Sequence, residues 1–428
     1  MQQTLKTAVS EFDIDLAAFD YPLPETAIAQ FPLKQRDASK LLVADPNSQQ
    51  IVHDRFRHID RYIPAGALLV RNVSKVIPAR LFFRKPTGGK VEIFCLEPLS
   101  PRTMDPSVAL STVRRSRWRC LIRGRHVVPG SVLRMDQPVA VEARVLDRSG
   151  REATVEFQWE APVKFGEILQ RVGHMPIPPY LRREDQPLDR QRYQTIYATA
   201  AGSVAAPTAG LHFTRRVLQR LQQKGVAIAD VVLHVGAGTF LPIRSERVTD
   251  HQMHWEQGAI SIQTLEQLRQ ALRSHRPIIA VGTTTLRLLE SLYWVGTLLL
   301  DDSLMAESLI VSQQLPYEYP SPVDAQEALA AIVAYLQNRN WTTLHFQTQL
   351  FVLPGYRFRF VQGLVTNFHQ PRSTLLLLVA AFVGPFWRTI YQEALQQQYR
   401  FLSYGDSSLL WRLQESGVER TRGKEKIR

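Results

Sequence analysis

The chain has 428 residues, 45% hydrophobic and 21% charged, a composition that buries a large core without metal or disulfide support. Two cysteines exclude a disulfide scaffold and a cysteine-rich zinc site, and they point to a reducing cytoplasm. A formal net charge of +13 favours a polyanionic partner, nucleic acid first and an anionic membrane surface second, over a basic surface with no partner.

The opening MQQTLKTAVSEFDIDL carries no apolar secretory core, and the longest apolar run, 375–383, is shorter than the roughly 18–20 residues that span a bilayer. From 78 to 160 the apolar period is two. ARLFFRK and KVEIFCLEPL flank a Pro86-Thr87-Gly88-Gly89 turn, and VAVEARVL and EATVEFQWE flank Asp147-Arg148-Ser149-Gly150. Short strands at this spacing suggest a small barrel or sandwich. From 165 the period lengthens. Thr214 is placed to cap a helix carrying Val217, Leu218 and Leu221, with Gly225 as its stop. A buried strand over 226–235 follows, then a helix over 263–274, a strand over 277–281 and a helix over 284–294. A further helix covers 325–337, and strands cover 342–352 and 356–365. Pro371 suits the first turn before STLLLLVAAFV. This alternation predicts an α/β sheet that is at least partly parallel. ERTRGKEKIR reads as a solvated basic tail.

Several segments carry chemistry. VLHVGAGTF ends a strand in Gly236-x-Gly238, which lets backbone approach a ligand. Phe240 and the following Leu241-Pro242 spoil a dinucleotide fingerprint, and a glycine-rich bend between strands is the competing reading. In DHQMHWE, His251 and His254 share a face if helical, as metal ligands would. His254 and Glu256 share one if extended, as an acid/base pair would, and a purely structural cluster is the third reading. PTAGLHFT leads small residues into a helix start, where backbone N–H groups attract an anion, with His212 either in reach of it or packed beside Phe213. Gly282-Thr283-Thr284 sits at a strand-to-helix junction but lacks P-loop spacing, so it is a ligand edge or merely a cap. Arg114, Arg115, Arg117, Arg119, Arg123 and Arg125 surround Trp118 without an acid among them, a mixture that suits phosphates and a stacked base. Alternation puts Arg115, Arg117 and Arg119 opposite Trp118, so the Trp is equally a core residue. The cluster of Arg182, Arg183, Arg190 and Arg192 is diluted by acids.

In their order along the chain, FDYPLPETAIAQFPLKQRDASKLLV, VIPARLFFRKPTGGKVEIF, GEILQRVGHMPIPPYLRR, RYQTIYATAAGSVAAPTAGLHFT, LHVGAGTFLPI, IIAVGTTTLRLLES, PGYRFRFVQGLVTNFHQPRSTLLLLVAAFVG and YRFLSYGDSSLL resemble the S-adenosylmethionine:tRNA ribosyltransferase-isomerase family. The resemblance implies a larger α/β domain interrupted by an inserted small antiparallel β-barrel. The expected division is 1–75 and 163–415 for the α/β domain, 76–162 for the barrel and 416–428 for the tail. It implies transfer of a rearranged ribosyl group from S-adenosylmethionine to 7-aminomethyl-7-deazaguanine at the tRNA wobble position, with adenine and methionine released. S-adenosylmethionine is then a consumed substrate, and no metal or redox cofactor is implied. A cytoplasmic monomer or weak dimer without a membrane role is expected.

That chemistry needs bases and acids near pH 7. The candidates are His212, His254 and Glu256, then His234 and Asp406. The expected S-adenosylmethionine surface is Thr208, Ala209, Gly210, Gly236, Gly238, Thr239, Phe240, Gly282, Thr283 and Thr284. Arg36, Arg182 and Arg183 are candidates for tRNA phosphates, as are Arg115, Arg117 and Arg119 from the residues alone. Asn72-Val73-Ser74-Lys75 stands where the family has Asn-Asp-Thr-Arg, and 293–350 is longer than its usual form. Val73 keeps open a catalytically altered relative that still binds tRNA or S-adenosylmethionine. VLHVGAGTF keeps open a methyltransferase, although Phe240 and the absent following helix oppose it.

Overall fold

The computed structural model describes residues 14–101, 105–236, 248, 251–301, 309–319 and 323–414. The strands in chain order are β1 (Lys40–Asp45), β2 (Gln50–Arg55), β3 (Leu68–Asn72), β4 (Ser74–Val76), β5 (Arg80–Arg84), β6 (Lys90–Ser100), β7 (Arg115–Arg123), β8 (Val132–Met135) and β9 (Val141–Ser149). They continue as β10 (Glu152–Gln158), β11 (Ala200–Ser203), β12 (Ala227–His234), β13 (Glu256–Ser261), β14 (Ile278–Val281), β15 (Ile310–Val311), β16 (Thr343–Thr348), β17 (Gly363–Asn367) and β18 (Ser407–Trp411).

Ten strands form one sheet in the order β15-β16-β13-β12-β3-β14-β17-β18-β1-β2. Its centre, β12-β3-β14-β17, is parallel. These strands therefore end along one edge, where open α/β sheets hold ligands. Both sheet faces are covered. Leu42, Ala44, Leu68, Val70, Ile278 and Ala280 join one apolar cluster. Their neighbours Leu41, Val43, Leu69, Ile279 and Val281 join another. The period of two thus points alternate residues into two cores, which explains why these strands read as unbroken apolar runs.

β5 to β10 close into an antiparallel barrel, β10-β7-β6-β5-β8-β9, inserted in the chain between strands of the large sheet. Closure leaves no exposed sheet edge and settles barrel over sandwich. In β7 Ser116, Trp118, Cys120 and Ile122 point inward while the intervening arginines point out. Helix Phe165–Val172 presents Phe165 to Trp118 and Phe157, at ring distances of 5.6 and 5.1 Å. The expected α/β fold with an inserted antiparallel barrel is the one observed.

Helix Arg215–Gln223 starts as expected, with the Thr214 side chain accepting the Val217 N–H. The strand expected over 342–352 is shorter, Thr343–Thr348, and Pro371 lies two residues before the Ser373 cap and not in the first turn; two further elements differ more. Helix Thr283–Leu300 is longer than its sequence signal, and it is buried on every side from Thr283 to Thr297, so no amphipathic period marks its end. The expected strand over 356–365 shrinks to β17, because the buried Glu290 carboxylate accepts the N–H groups of Arg359, Phe360 and Val361 at 2.8, 3.0 and 3.1 Å. Those donors are unavailable to a sheet ladder.

Pro371 precedes the helix that Ser373 caps, Thr374–Val383. That helix and Trp387–Gln396 form a continuous run, 374–396, long and apolar enough by composition to cross a membrane. With 61% of its window buried inside the molecule, it has the burial of core helices.

Candidate active site

The carboxyl ends of β14 and β17, with Val235 just after β12, border a cavity also lined by Thr208, Ala209, Tyr180, His369 and Ser403. Gly282, at φ +93°, turns the chain from β14 into helix Thr283–Leu300 and provides no side-chain cap. The Thr285 hydroxyl donates back to the Val281 carbonyl at 2.7 Å. Thr284 Oγ1 is buried and has no hydrogen-bond partner among the described residues.

Asn367 ends β17. Its Nδ2 donates to the Leu402 and Asp406 carbonyls at 3.2 and 3.4 Å. Carbonyl oxygens only accept, so the amide orientation is determined and Oδ1 is the atom left buried without a partner. The same Nδ2 lies 3.2 Å from His212 Nε2, which must accept. His212 Nδ1 then carries the proton and donates to Ser39 Oγ at 2.9 Å. Burial lowers the His212 pKa to about 4, so the ring is neutral and both its nitrogens are engaged.

His369 lies in the cavity itself, 3.0 Å from Thr366 Oγ1 through Nε2. Burial lowers its pKa to about 3. It was absent from the sequence candidates, although its HQPRSTL block marks the start of a helix, and a histidine just before a helix is a visible signal.

A second cavity opens where the α/β domain meets the barrel. It shares Val235 with the first and is lined by His234, Gly236, His254 and Trp255 on one side and by Glu97, Arg119 and Glu152 on the other. Arg119 lies 2.9 Å from Glu97 and 3.7 Å from Glu152. Burial lowers the His234 pKa to about 4, and His234 Nδ1 has no partner among the described residues. His254 is lowered by burial first and then by Arg119.

The expected residues therefore separate. Thr208, Ala209, Gly282, Thr283 and Thr284 come together in the first cavity, while His234, Gly236 and His254 come together in the second. Gly210 lines neither. A Cβ there would lie 2.2 Å from the Tyr197 hydroxyl, so that glycine serves packing. Gly238, Thr239 and Phe240 lie outside the described residues.

The segment 251–255 is not helical, and no metal-binding cluster of His, Cys, Asp and Glu occurs among the described residues. His254 lines the second cavity, and Glu256 does not line it. The Glu256 carboxylate is buried against the Arg287 guanidinium, whose pKa burial lowers to about 10. Asp406 is held by the Lys40 and Arg400 N–H groups at 3.0 and 2.8 Å and by the Arg400 guanidinium at 3.3 Å.

Most of the candidate phosphate-binding arginines have partners inside the fold. Arg36 donates to the Leu211 and Gln191 carbonyls at 3.1 and 2.8 Å. Arg183 grips Asp189 with two hydrogen bonds of 2.7 and 2.9 Å and covers Phe31. Arg115 and Arg117 share Glu156 from the neighbouring strand. Acids invisible within the arginine run itself thus face it across the sheet. Arg182 is exposed and pairs with the equally exposed Glu25 at 2.7 Å.

The S-adenosylmethionine:tRNA ribosyltransferase-isomerase of Aquifex aeolicus is 37% identical over 393 residues, covering 92% of this chain and 98% of its own. The enzyme of the same description from Thermotoga petrophila is 40% identical over 397 residues, covering 92% and 99%. A crystal structure of an S-adenosylmethionine tRNA ribosyltransferase from Thermotoga maritima is 32% identical, covers 92% of this chain and 99% of its own, and superposes with a TM-score of 0.44. The family described as queuosine biosynthesis protein matches residues 16–410, and the chain belongs to that family.

Proposed function

We propose that the protein is an S-adenosylmethionine:tRNA ribosyltransferase-isomerase. It moves the ribosyl group of S-adenosylmethionine onto 7-aminomethyl-7-deazaguanine at the tRNA wobble position and releases adenine and methionine. The observation that carries this reading is 37% and 40% identity to enzymes of that description over 92% of the chain. The +13 charge is consistent with a tRNA partner. S-adenosylmethionine is consumed, so the reading invokes no metal or redox cofactor. It places the protein in the cytoplasm as a monomer or weak dimer.

The sulfonium acidifies the C5′ hydrogens of the donor, and a base removes one. Adenine leaves, the amine attacks the rearranged sugar, and the resulting alkoxide displaces methionine to close an epoxide. Of the five catalytic candidates, His234 and His254 line the second cavity, Glu256 and Asp406 are held in ion pairs, and His212 is held between Ser39 and Asn367 at the edge of a separate small cavity that Arg36 also lines. His369 joins them from the first cavity. His234 and His369 are unprotonated at neutral pH because burial lowers both, so each ring is in the base form. We assign S-adenosylmethionine to the first cavity and the flipped-out base to the second, with the two meeting at Val235.

Val73, where the family has Asp, is the departure that bears on a second reading, in which binding is kept and chemistry is lost; identity to enzymes of the first description favours the first. The Val73 side chain is buried, and its carbonyl accepts the Thr199 and Ala200 N–H groups. A single-turnover reaction with S-adenosylmethionine and tRNA carrying the aminomethyl base separates these readings by mass spectrometry. Adenine together with epoxyqueuosine supports the enzyme. Bound tRNA with neither product supports the altered relative, and S-adenosylhomocysteine would mean methyl transfer.

A further inference from the structure

Two residues that line the first cavity carry buried polar atoms with opposite requirements. Thr284 is 7% exposed, and its hydroxyl has no partner among the described residues. It sits in the first turn of helix Thr283–Leu300, whose Gly282 cap leaves the leading N–H groups without a side-chain acceptor. That end offers donors and the positive pole of the helix dipole. Asn367 is 3% exposed, and its Oδ1 is an acceptor without a donor. Its orientation is set by two carbonyls and by His212. Folded proteins pair nearly all such atoms, because each one left unpaired in the interior lowers stability.

Among the described residues, no Asp, Glu, Lys or Arg lines this cavity. An isolated charge would therefore be uncompensated there, whereas a net-neutral group with one anionic and one cationic end would satisfy both atoms. We propose that the cavity reads the α-amino-acid end of S-adenosylmethionine. The carboxylate lies at the amino end of helix Thr283–Leu300 and accepts from Thr284 Oγ1, and the ammonium donates to Asn367 Oδ1. This inference rests on the donor assignment made above. His212 and Ser39 act on it only through Asn367 and are positioning residues.

The adenine amino group is the other N–H donor of the same substrate, and the experiment separates the two sources. Adenine release is followed with the aminomethyl-tRNA while three unreactive thioethers compete with S-adenosylmethionine: S-adenosylhomocysteine, its decarboxylated form and its deaminated form. In wild-type enzyme, loss of the carboxylate or of the ammonium weakens inhibition about 10- to 100-fold, the range of a charge-assisted hydrogen bond. Thr284→Val keeps the side-chain shape. It reduces the carboxylate discrimination several-fold, with the N–H groups of the helix end keeping the remainder, and raises the melting temperature of the free enzyme, because an unpaired buried hydroxyl is gone. Asn367→Ala removes the ammonium discrimination in the same way.

A Thr284→Val enzyme that discriminates as the wild type does overturns the carboxylate assignment. An Asn367→Ala enzyme that weakens for all three probes equally overturns the ammonium assignment in favour of adenine. Wild-type enzyme that releases no adenine overturns the parent reading itself, a result distinct from either of these.

Discussion

The cavity at the strand ends and the cavity beside the barrel share Val235 and differ in almost everything else. The first is lined by neutral polar and apolar groups, carries no Asp, Glu, Lys or Arg among the described residues, and holds Asn367 in place through a buried hydrogen-bond chain to His212 and Ser39. The second is lined by Arg119, Glu97 and Glu152, whose side chains are 35%, 36% and 51% exposed and whose charges partly cancel. Buried neutral networks set geometry because every unmet hydrogen bond in them is costly. Half-exposed ion pairs are cheap to rearrange and suit a large partner that arrives with its own charges. The difference matches a small substrate held rigidly on one side and a macromolecule admitted on the other.

The sharpest way to break the comparison is to delete one arginine from each setting. Arg287 is 7% exposed and paired with buried Glu256, beneath the Thr283-Thr284 wall of the first cavity. Arg287→Met should destabilise the protein by about 3–5 kcal/mol, the cost of breaking a buried pair. Arg119→Gln should cost below about 1 kcal/mol, as exposed pairs do. Urea unfolding of both variants reads the contrast, and equal losses would erase the distinction between the settings.

His212 tests rigidity next. Alanine removes both the acceptor for Asn367 and the donor to Ser39 and should lower kcat/KM for S-adenosylmethionine on the order of 100-fold, the loss that a misplacement of about 1 Å produces. His212→Gln keeps one acceptor and one donor and should recover most of that loss. A glutamine enzyme as impaired as the alanine enzyme would return His212 to the list of proton carriers.

Much of this arrangement was legible in the sequence. The barrel announced itself through period-two runs and glycine turns, and the cavity edge through Gly282-Thr283-Thr284 following a buried strand. What stayed hidden depends on side chains meeting from distant segments. Nothing near PTAGLHFT shows that His212 will be enclosed by Ser39 and Asn367, respectively 173 and 155 residues away. Nor does the arginine run show that Glu156, on β10, will face Arg115 and Arg117 across the sheet. Residue type and local spacing indicated which strand ends border a cavity; partner identity needed the tertiary register.

Acid should weaken the enclosed network before the open one. An unfolded histidine takes up a proton near pH 6.5, whereas His212 does so in the fold only near 4 and His369 near 3. Between those values the unfolded chain binds more protons, so this stability is fully present above about pH 6.5 and is lost as pH falls toward 4. At pH 5 the His212 contribution alone should be lower by about 2 kcal/mol than at neutrality. His212→Gln should flatten the pH dependence of the urea midpoint by that amount, and an unchanged slope would mean that the ring is not held neutral by burial.

The smallest expected effect concerns how the open side meets tRNA. Each phosphate contact adds about 0.9 to the slope of log affinity against log salt. Arg115 and Arg117 converge on Glu156, which is 5% exposed and which those two guanidiniums, after the opposing effect of burial, hold below the usual carboxylate range. Their charges are already partly answered within the barrel, so a Arg115→Gln, Arg117→Gln double variant should leave the slope within about one contact of wild type. Arg182 has a 75% exposed side chain and only an exposed glutamate beside it, so its charge is free to turn toward a phosphate. Arg182→Gln should reduce the slope by about 0.9 if that surface lies on the tRNA path. A double variant that loses about 1.8 instead would mean that tRNA displaces Glu156, and the barrel stripe rather than the α/β surface would then carry the docking.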